Sequence, residues 1–283
     1  MAASTRSGRN AQRLHPILAL PGVLLLAAAI GCEPSPEAPT ELDELSAYLF
    51  RHFETEDEGV LEAGMGNLYE FFRDIDLDVP YQDRAFATSP LTEDDIHGIV
   101  HADRDPALQQ PVAMAMDSQH EPRGHSTAII QSDQTPMEPA SPNHYVREYV
   151  DPTDPSCFPD RDCAAVDTMN NIKKENLVMN ATYDMHKDFR WVEMREAGNG
   201  EWALLGRAWC EEATIGDAGA ITIHQSYSID AFILEDDGTT IRYMSLWTET
   251  EIDGVDDTII EGTTRLGMND MFEATEDWIT END

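Results

Sequence analysis

Between Ile221 and Glu235, apolar side chains hold the odd positions 221, 223, 227, 229, 231 and 233, while Thr222, His224, Ser226, Ser228 and Asp230 hold the even ones. A period of two puts the first set on one face of a β-strand. Past the turn signal Asp236-Asp237-Gly238, Ile241, Tyr243 and Trp247 repeat the pattern, so the two runs read as a long hairpin. Strands this long exceed the usual five or six residues and have to twist and curl. Asn176–Glu196 and Glu201–Ala213 extend the series, with turns at Gly198-Asn199-Gly200 and Gly216-Asp217-Ala218-Gly219 and a bulge expected near Trp191-Val192, where the alternation slips. After Asp253-Gly254, Asp257–Arg265 reads as a last strand. Met268, Met271, Phe272, Thr275 and Ile279 then switch to helical spacing. The expected fold is α+β: a long-stranded antiparallel β-meander, as a curved sheet or half-barrel, with N-terminal helices and a short C-terminal helix.

The N-terminal helices come from two apolar stripes. Thr40 is placed to cap a helix carrying Leu42, Leu45, Leu49 and Phe53, with Glu41, Asp43 and Glu44 suiting its positive start. A second helix is expected over Glu58–Arg73, with Leu61, Met65, Leu68 and Phe72 on one side. Prolines from Pro80 to Pro159 then exclude long regular elements. Within that stretch Pro111–Ser118 and His125–Ser132 read as short strands, and Thr92–Val100 as a short helix.

Residues 1–31 stand apart. Arg6, Arg9 and Arg13 precede an apolar run, Ile17–Ile30, too short to span a bilayer and suited to a signal peptide. Ala29-Ile30-Gly31-Cys32 follows and resembles the lipobox of bacterial lipoproteins, which implies that Cys32 is lipidated and begins the mature chain. Glu33 stands where aspartate would signal inner-membrane retention, so by that rule the chain is expected in the outer membrane, its partner the membrane itself. Residues 32–40, with three prolines, read as a tether. Residues 41–160 then form a helical and irregular region and 161–283 the meander with its helix, either as two domains or together as one.

The chain carries 18 Lys+Arg against 55 Asp+Glu, a net charge of −37, and the signal segment takes three arginines and no acid with it. Such acidity excludes a nucleic-acid partner, which requires a basic footprint. Only three lysines occur: Lys173, Lys174 and Lys187. Carboxylates spread along the whole chain are similar to a salt-adapted surface, whose self-repulsion salt relieves by screening. Acid-rich and lysine-poor behind a lipobox, the chain looks like the acidic lipoproteins of myxobacterial type.

The search for chemistry returns few candidates. No GxSxG, HExxH, Walker or GxGxxG motif is present, and no cofactor is implied. Asp74–Asp78 resembles the start of a calcium loop, but Val79 and Ala85 stand where an EF-hand needs glycine and glutamate. His97 and His101 would share a face on a helix and form half of a transition-metal site; in a loop they are surface histidines. Cys157 and Cys163 flank a turn-rich loop and form the favoured disulfide, leaving Cys210 buried in a strand; Cys163–Cys210 is the alternative pairing.

The expected architecture is similar in outline to helix-grip and lipocalin-like binding folds. On the apolar face of the two best strands, Gln225 and Ser245 lie among Ile223, Tyr227, Ile229, Tyr243 and Trp247. Apolar walls with few inward polar groups describe either a small-molecule pocket or a core with two hydrogen-bonded polar residues. Three functions compete: a non-enzymatic envelope lipoprotein holding an apolar ligand or lipid, a structural lipoprotein with a filled core, and an acid- or metal-dependent hydrolase. The lipobox itself is open to test, because acyl chains supply about 0.8 kcal/mol per buried methylene and a bare tether supplies none. Cys32→Ala is expected to block lipidation and leave uncut precursor on a pulse-chase gel; normal processing of that variant would remove the lipoprotein assignment.

Overall fold

In the computed structural model, which describes residues 37–175, 180–195, 201–217 and 219–282, the two N-terminal stripes form α1 (Leu42–Arg51) and α2 (Glu58–Phe72). The signal segment, Cys32 and the Gly198–Gly200 turn lie outside the described residues. Asp43 and Glu44 sit in the first turn of α1 and Arg51 in its last, each favourable toward the helix dipole. Glu41, not Thr40, is the residue before the helix. Asp57 caps α2 by accepting a hydrogen bond from Gly59 N at 3.1 Å. Where the two helices meet, Gly64 has no side chain to spare: a Cβ there would lie 2.8 Å from Leu49 Cδ2 and 3.1 Å from the Tyr48 ring. The expected tether also ends early. Ala38 is buried beside Tyr48 and Val60, and Asn67 Nδ2 donates to the carbonyls of Ala38 and Pro39 at 3.0 and 2.9 Å.

The middle region is less regular, with two corrections. Pro111–Ser118 is a strand as expected, part of β2 (Gln110–Ser118), which pairs with the two-residue β1 (Ala85–Phe86). His125–Ser132 is not a strand. Its first half belongs to α3 (Pro122–Ile129), where Pro122 occupies the first turn and needs no hydrogen bond. Thr92–Val100 is a series of turns rather than a helix: Asp95 folds back to accept from Thr92 N and Oγ1 at 2.7 and 2.6 Å, and Gly98 adopts φ +95°.

Seven further strands complete the sheet: β3 (Tyr145–Asp151), β4 (Ala165–Glu175), β5 (Asn180–Glu193), β6 (Trp202–Trp209), β7 (Thr214–Ile215), β8 (Ile221–Leu234) and β9 (Thr240–Ile252). The order is β1-β2-β9-β8-β6-β5-β4-β3, every pairing antiparallel, with β7 added at one end of β8. Since β1, β2 and β3 come from before residue 161, the sheet crosses that boundary, and Ser35–Asp283 forms one compact unit. No bulge occurs at Trp191-Val192; pairing with β6 runs unbroken from His186 to Glu193. The alternation slips there because both faces are covered: Trp191 joins Phe158 and Phe189 on one side, Val192 joins Leu205 on the other. Register shifts lie instead between Ile223 and Gln225 in β8 and between Tyr149 and Asp151 in β3.

The segment Asp257–Arg265 is helical, the start of the 26-residue α4 (Asp257–Asn282). Asp256 begins it, its carboxylate accepting from Thr258 N at 3.0 Å and its carbonyl from Ile259 and Ile260 N. Ile260 then opens the stripe that Met268, Phe272 and Ile279 continue. The C-terminal helix is therefore long rather than short. Near its middle, Gly267 has nothing within 4 Å of where a Cβ would stand. The two helical glycines should respond oppositely to substitution. Gly64→Val overpacks the α1–α2 contact and is expected to cost about 1–3 kcal/mol, whereas Gly267→Ala gains up to about 1 kcal/mol of helix propensity; chemical unfolding of both variants checks the signs.

Candidate ligand cavity under the C-terminal helix

The bulge in β8 decides which side chains share a face. Before it, Ile221 and Ile223 pair with Ile252 and Thr250; after it, Gln225 pairs with Glu249 and Tyr227 with Trp247. The odd positions of β8 thus change faces at residue 224. Tyr227, Ile229, Tyr243 and Trp247 lie against α1 and α2 in one continuous core, with Phe50 edge-on to Tyr227 and Trp247 at 5.8 and 5.9 Å between ring centroids. Several polar groups on that face are spent on the protein itself, although Tyr227 OH and Ser245 Oγ are buried without a hydrogen-bond partner among the described residues. Ser46 Oγ and Tyr243 OH are 2.6 Å apart, and Trp247 Nε1 donates to Ser89 O at 2.9 Å. Gln225 Nε2 donates to Asp105 O and Glu249 Oε2, both at 2.9 Å, and its Oε1 accepts from Gln109 Nε2 at 3.1 Å.

A cavity of about 300 Å³ lies against the opposite face, within the range of small-molecule sites. Its sheet wall includes Ile172, Met185, Phe189, Ala208, Phe232 and Met244; its roof is a stripe of α4 from Ile260 through Gly267 and Met271 to Thr275, with Ala128 and Ile129 of α3 and the Gln134–Ala140 segment beside it. Of the residues expected to line a pocket, Ile223, Ile229 and Ser245 border this cavity, while Gln225, Tyr227, Tyr243 and Trp247 do not. Ile229 and Ser245 belong by alternation to the far face.

The charged groups of this wall carry its chemistry, and pattern reading passes over them. Glu138, only 5% exposed, accepts from Lys174 Nζ at 2.5 Å and from Lys187 Nζ at 3.0 Å, one lysine on each of its oxygens. Burial alone would push this carboxyl up; the two ammonium groups outweigh it and hold the carboxyl far below the usual carboxylate range. Burial likewise opposes the charge on Lys187, and Glu138 reverses it, so the ammonium is held above the ordinary lysine range. Arg147 lies nearby, its Nε donating to Asn170 Oδ1 at 2.7 Å, with Tyr145 OH and the Ile129 carbonyl as its other acceptors. Across the cavity, Arg242 pairs with Asp230 through Nε and Nη2 at 3.1 and 2.7 Å and lies over the Phe232 ring. Its Nη1 and the Nδ1 of His125 are buried without a hydrogen-bond partner among the described residues. Burial, then the charge of Arg242, keeps His125 well below the ordinary histidine range and therefore neutral.

The histidine pair His97 and His101 does not enter this cavity. His97 is exposed and His101 half-buried, its Nδ1 at 2.8 Å from Ala102 O. With no helix beneath them they share no face. Among the described residues no group of three or more His, Cys, Asp and Glu is placed to hold a metal ion. Cys157 and Cys163 are joined in a disulfide, Cα to Cα 5.4 Å. Cys210 is a free thiol at the cavity wall, pushed up to about 12 by burial and so unreactive.

No family model matches this chain, and no curated protein does. Solved structures with a similar layout include a protein from Thermus thermophilus (TM-score 0.41, 12% identity, 62% of this chain and 99% of that one). Others are a STAR-related lipid transfer protein fragment from Xanthomonas axonopodis (0.39, 11%, 61% and 87%) and norcoclaurine synthase from Thalictrum flavum (0.36, 8%, 61% and 87%). None of these three reaches a TM-score of 0.5, so the chemistry of the cavity has to be read from its own residues.

The Glu138 cluster makes a pH-dependent contribution of known sign. A carboxyl whose folded value is depressed stabilises above its unfolded value, and that stability is lost as pH falls through the carboxylate range. Breaking a buried ion pair costs about 3–5 kcal/mol. Because both lysines keep about a fifth of their side chains exposed, Glu138→Gln is expected at the low end near neutral pH. The gap from the parent protein should narrow on acidification, as read from unfolding midpoints across pH.

Proposed function

We propose that this protein is a non-enzymatic envelope lipoprotein, anchored in the outer membrane through Cys32, whose cavity under α4 holds an apolar small molecule or lipid. The observation that carries the binding part is the cavity itself: about 300 Å³ between the sheet and α4, with a mainly apolar wall. Elsewhere the same sheet is closed by packed aromatic side chains, so an unfilled space on one face is a local feature and not loose packing throughout. The anchor rests on the lipobox sequence, and no helix of the described residues is long and apolar enough to cross a membrane by itself.

Gly267 offers a direct test. It borders the cavity, and open space surrounds the position of its missing Cβ, so Gly267→Leu fills volume without straining α4. An environment-sensitive apolar dye titrated into the soluble body, residues 37–283, is expected to bind the parent protein and to bind the variant at least about tenfold more weakly, equivalent to about 1.4 kcal/mol. The thermal midpoint should hold or rise. No binding by the parent protein, or equal binding by both, would favour a structural lipoprotein instead.

A further inference from the structure

The cavity's electrostatics run against those of the chain. In a protein of net charge −37 with three lysines in all, two of those lysines, Lys174 and Lys187, face this one cavity together with Arg147. Three cations meet a single carboxylate, Glu138. Arg147 is 9% exposed and among the described residues bonds only to neutral acceptors, the Asn170 amide, the Tyr145 hydroxyl and the Ile129 carbonyl. Uncompensated charge in a buried setting is unfavourable unless a counter-charge joins it. The lysines also keep donors in hand: each ammonium has three N–H groups, and each makes one hydrogen bond among the described residues, to Glu138. Away from this cluster the charges balance, since Arg242 is matched by Asp230. From β5, which carries Lys187, to β9, which carries Arg242, is three strand steps, about 14 Å at the spacing of neighbouring strands. Phe232 and Met244 lie toward the β9 end, where Met268 and Met271 of α4 roof the space.

Building on the cavity reading above, we infer that the ligand is an anionic amphiphile, its carboxylate or phosphate head held by Lys174, Lys187 and Arg147 and its apolar body extending under α4 toward β9. The acidic surface repels anions at long range, and salt screens that repulsion. The preference therefore belongs to the local cluster and is measured best in high salt.

Isothermal titration of the body, residues 37–283, with decanoate, decyl phosphate and decanol separates the terms, since the three share one tail and differ in the head. Decanoate or decyl phosphate is expected to bind at least about tenfold tighter than decanol, and which anion leads distinguishes a carboxylate source from a phosphate source. Lys174→Met and Lys187→Met should each pull that ratio toward one; Glu138→Gln, which removes the resident counter-charge, should raise it. Equal binding of all three probes overturns the anionic head while leaving the apolar cavity standing. No binding of any probe overturns both. The comparison within the parent protein decides the question even if a lysine variant fails to fold.

Discussion

On β9, Tyr243 and Trp247 point toward α1 and α2, while Arg242 and Met244 point toward α4. Both faces of the sheet's middle strands are thereby buried, and most other features follow. The first face is closed by aromatic packing and by the Ser46–Tyr243 contact, which ties α1 to the sheet at a polar point inside an apolar layer. The second is closed by one long helix, and a single helix about 10 Å wide does not cover so broad a sheet. The uncovered remainder is the cavity, flanked by α3 and the Gln134–Ala140 segment.

Much of this architecture is legible in the sequence because its signals are local. The stripes of α1 and α2, the alternation of β8 and β9 and the turns at Gly238 and Gly254 each follow from a few neighbouring residues. Two glycines with positive φ, +92° and +74°, stand at those turns. The failures have equally specific causes. The β-branched run Thr258–Ile260 mimics a strand, yet Asp256 caps it into a helix. Apolar residues at both 191 and 192 resemble a bulge only while one face of the sheet is taken to be wet.

The face of the site was harder to read. A single bulge at residue 224 reverses the side chains that follow it, and its one mark in the alternation of Ile221–Glu235 is the polar Gln225 among apolar odd positions. The charged cluster is formed by strands β3, β4 and β5 with a loop residue, Glu138, so no spacing motif encodes it. The scarcity of lysine was its one trace: in a chain with three, two side chains that converge on a buried carboxylate carry more information than the many acids.

The disulfide has a consequence for the order in which the chain oxidises. Its two cysteines are six residues apart, while Cys163 and Cys210 are separated by 47. Loop-closure entropy favours the shorter ring by about 2 kcal/mol, from three-halves of RT times the logarithm of the length ratio. Statistics therefore select the Cys157–Cys163 pairing before any tertiary structure exists. Once the sheet forms, Cys210 is 2% exposed and out of reach of an exchanging thiolate. The Cys157–Cys163 ring also fixes the loop that carries Phe158, whose carbonyl accepts from Trp191 Nε1 at 2.7 Å. The ring thus holds a plug against the sheet, and Cys210, just past the end of β6, is sequestered against scrambling by its burial at the cavity wall.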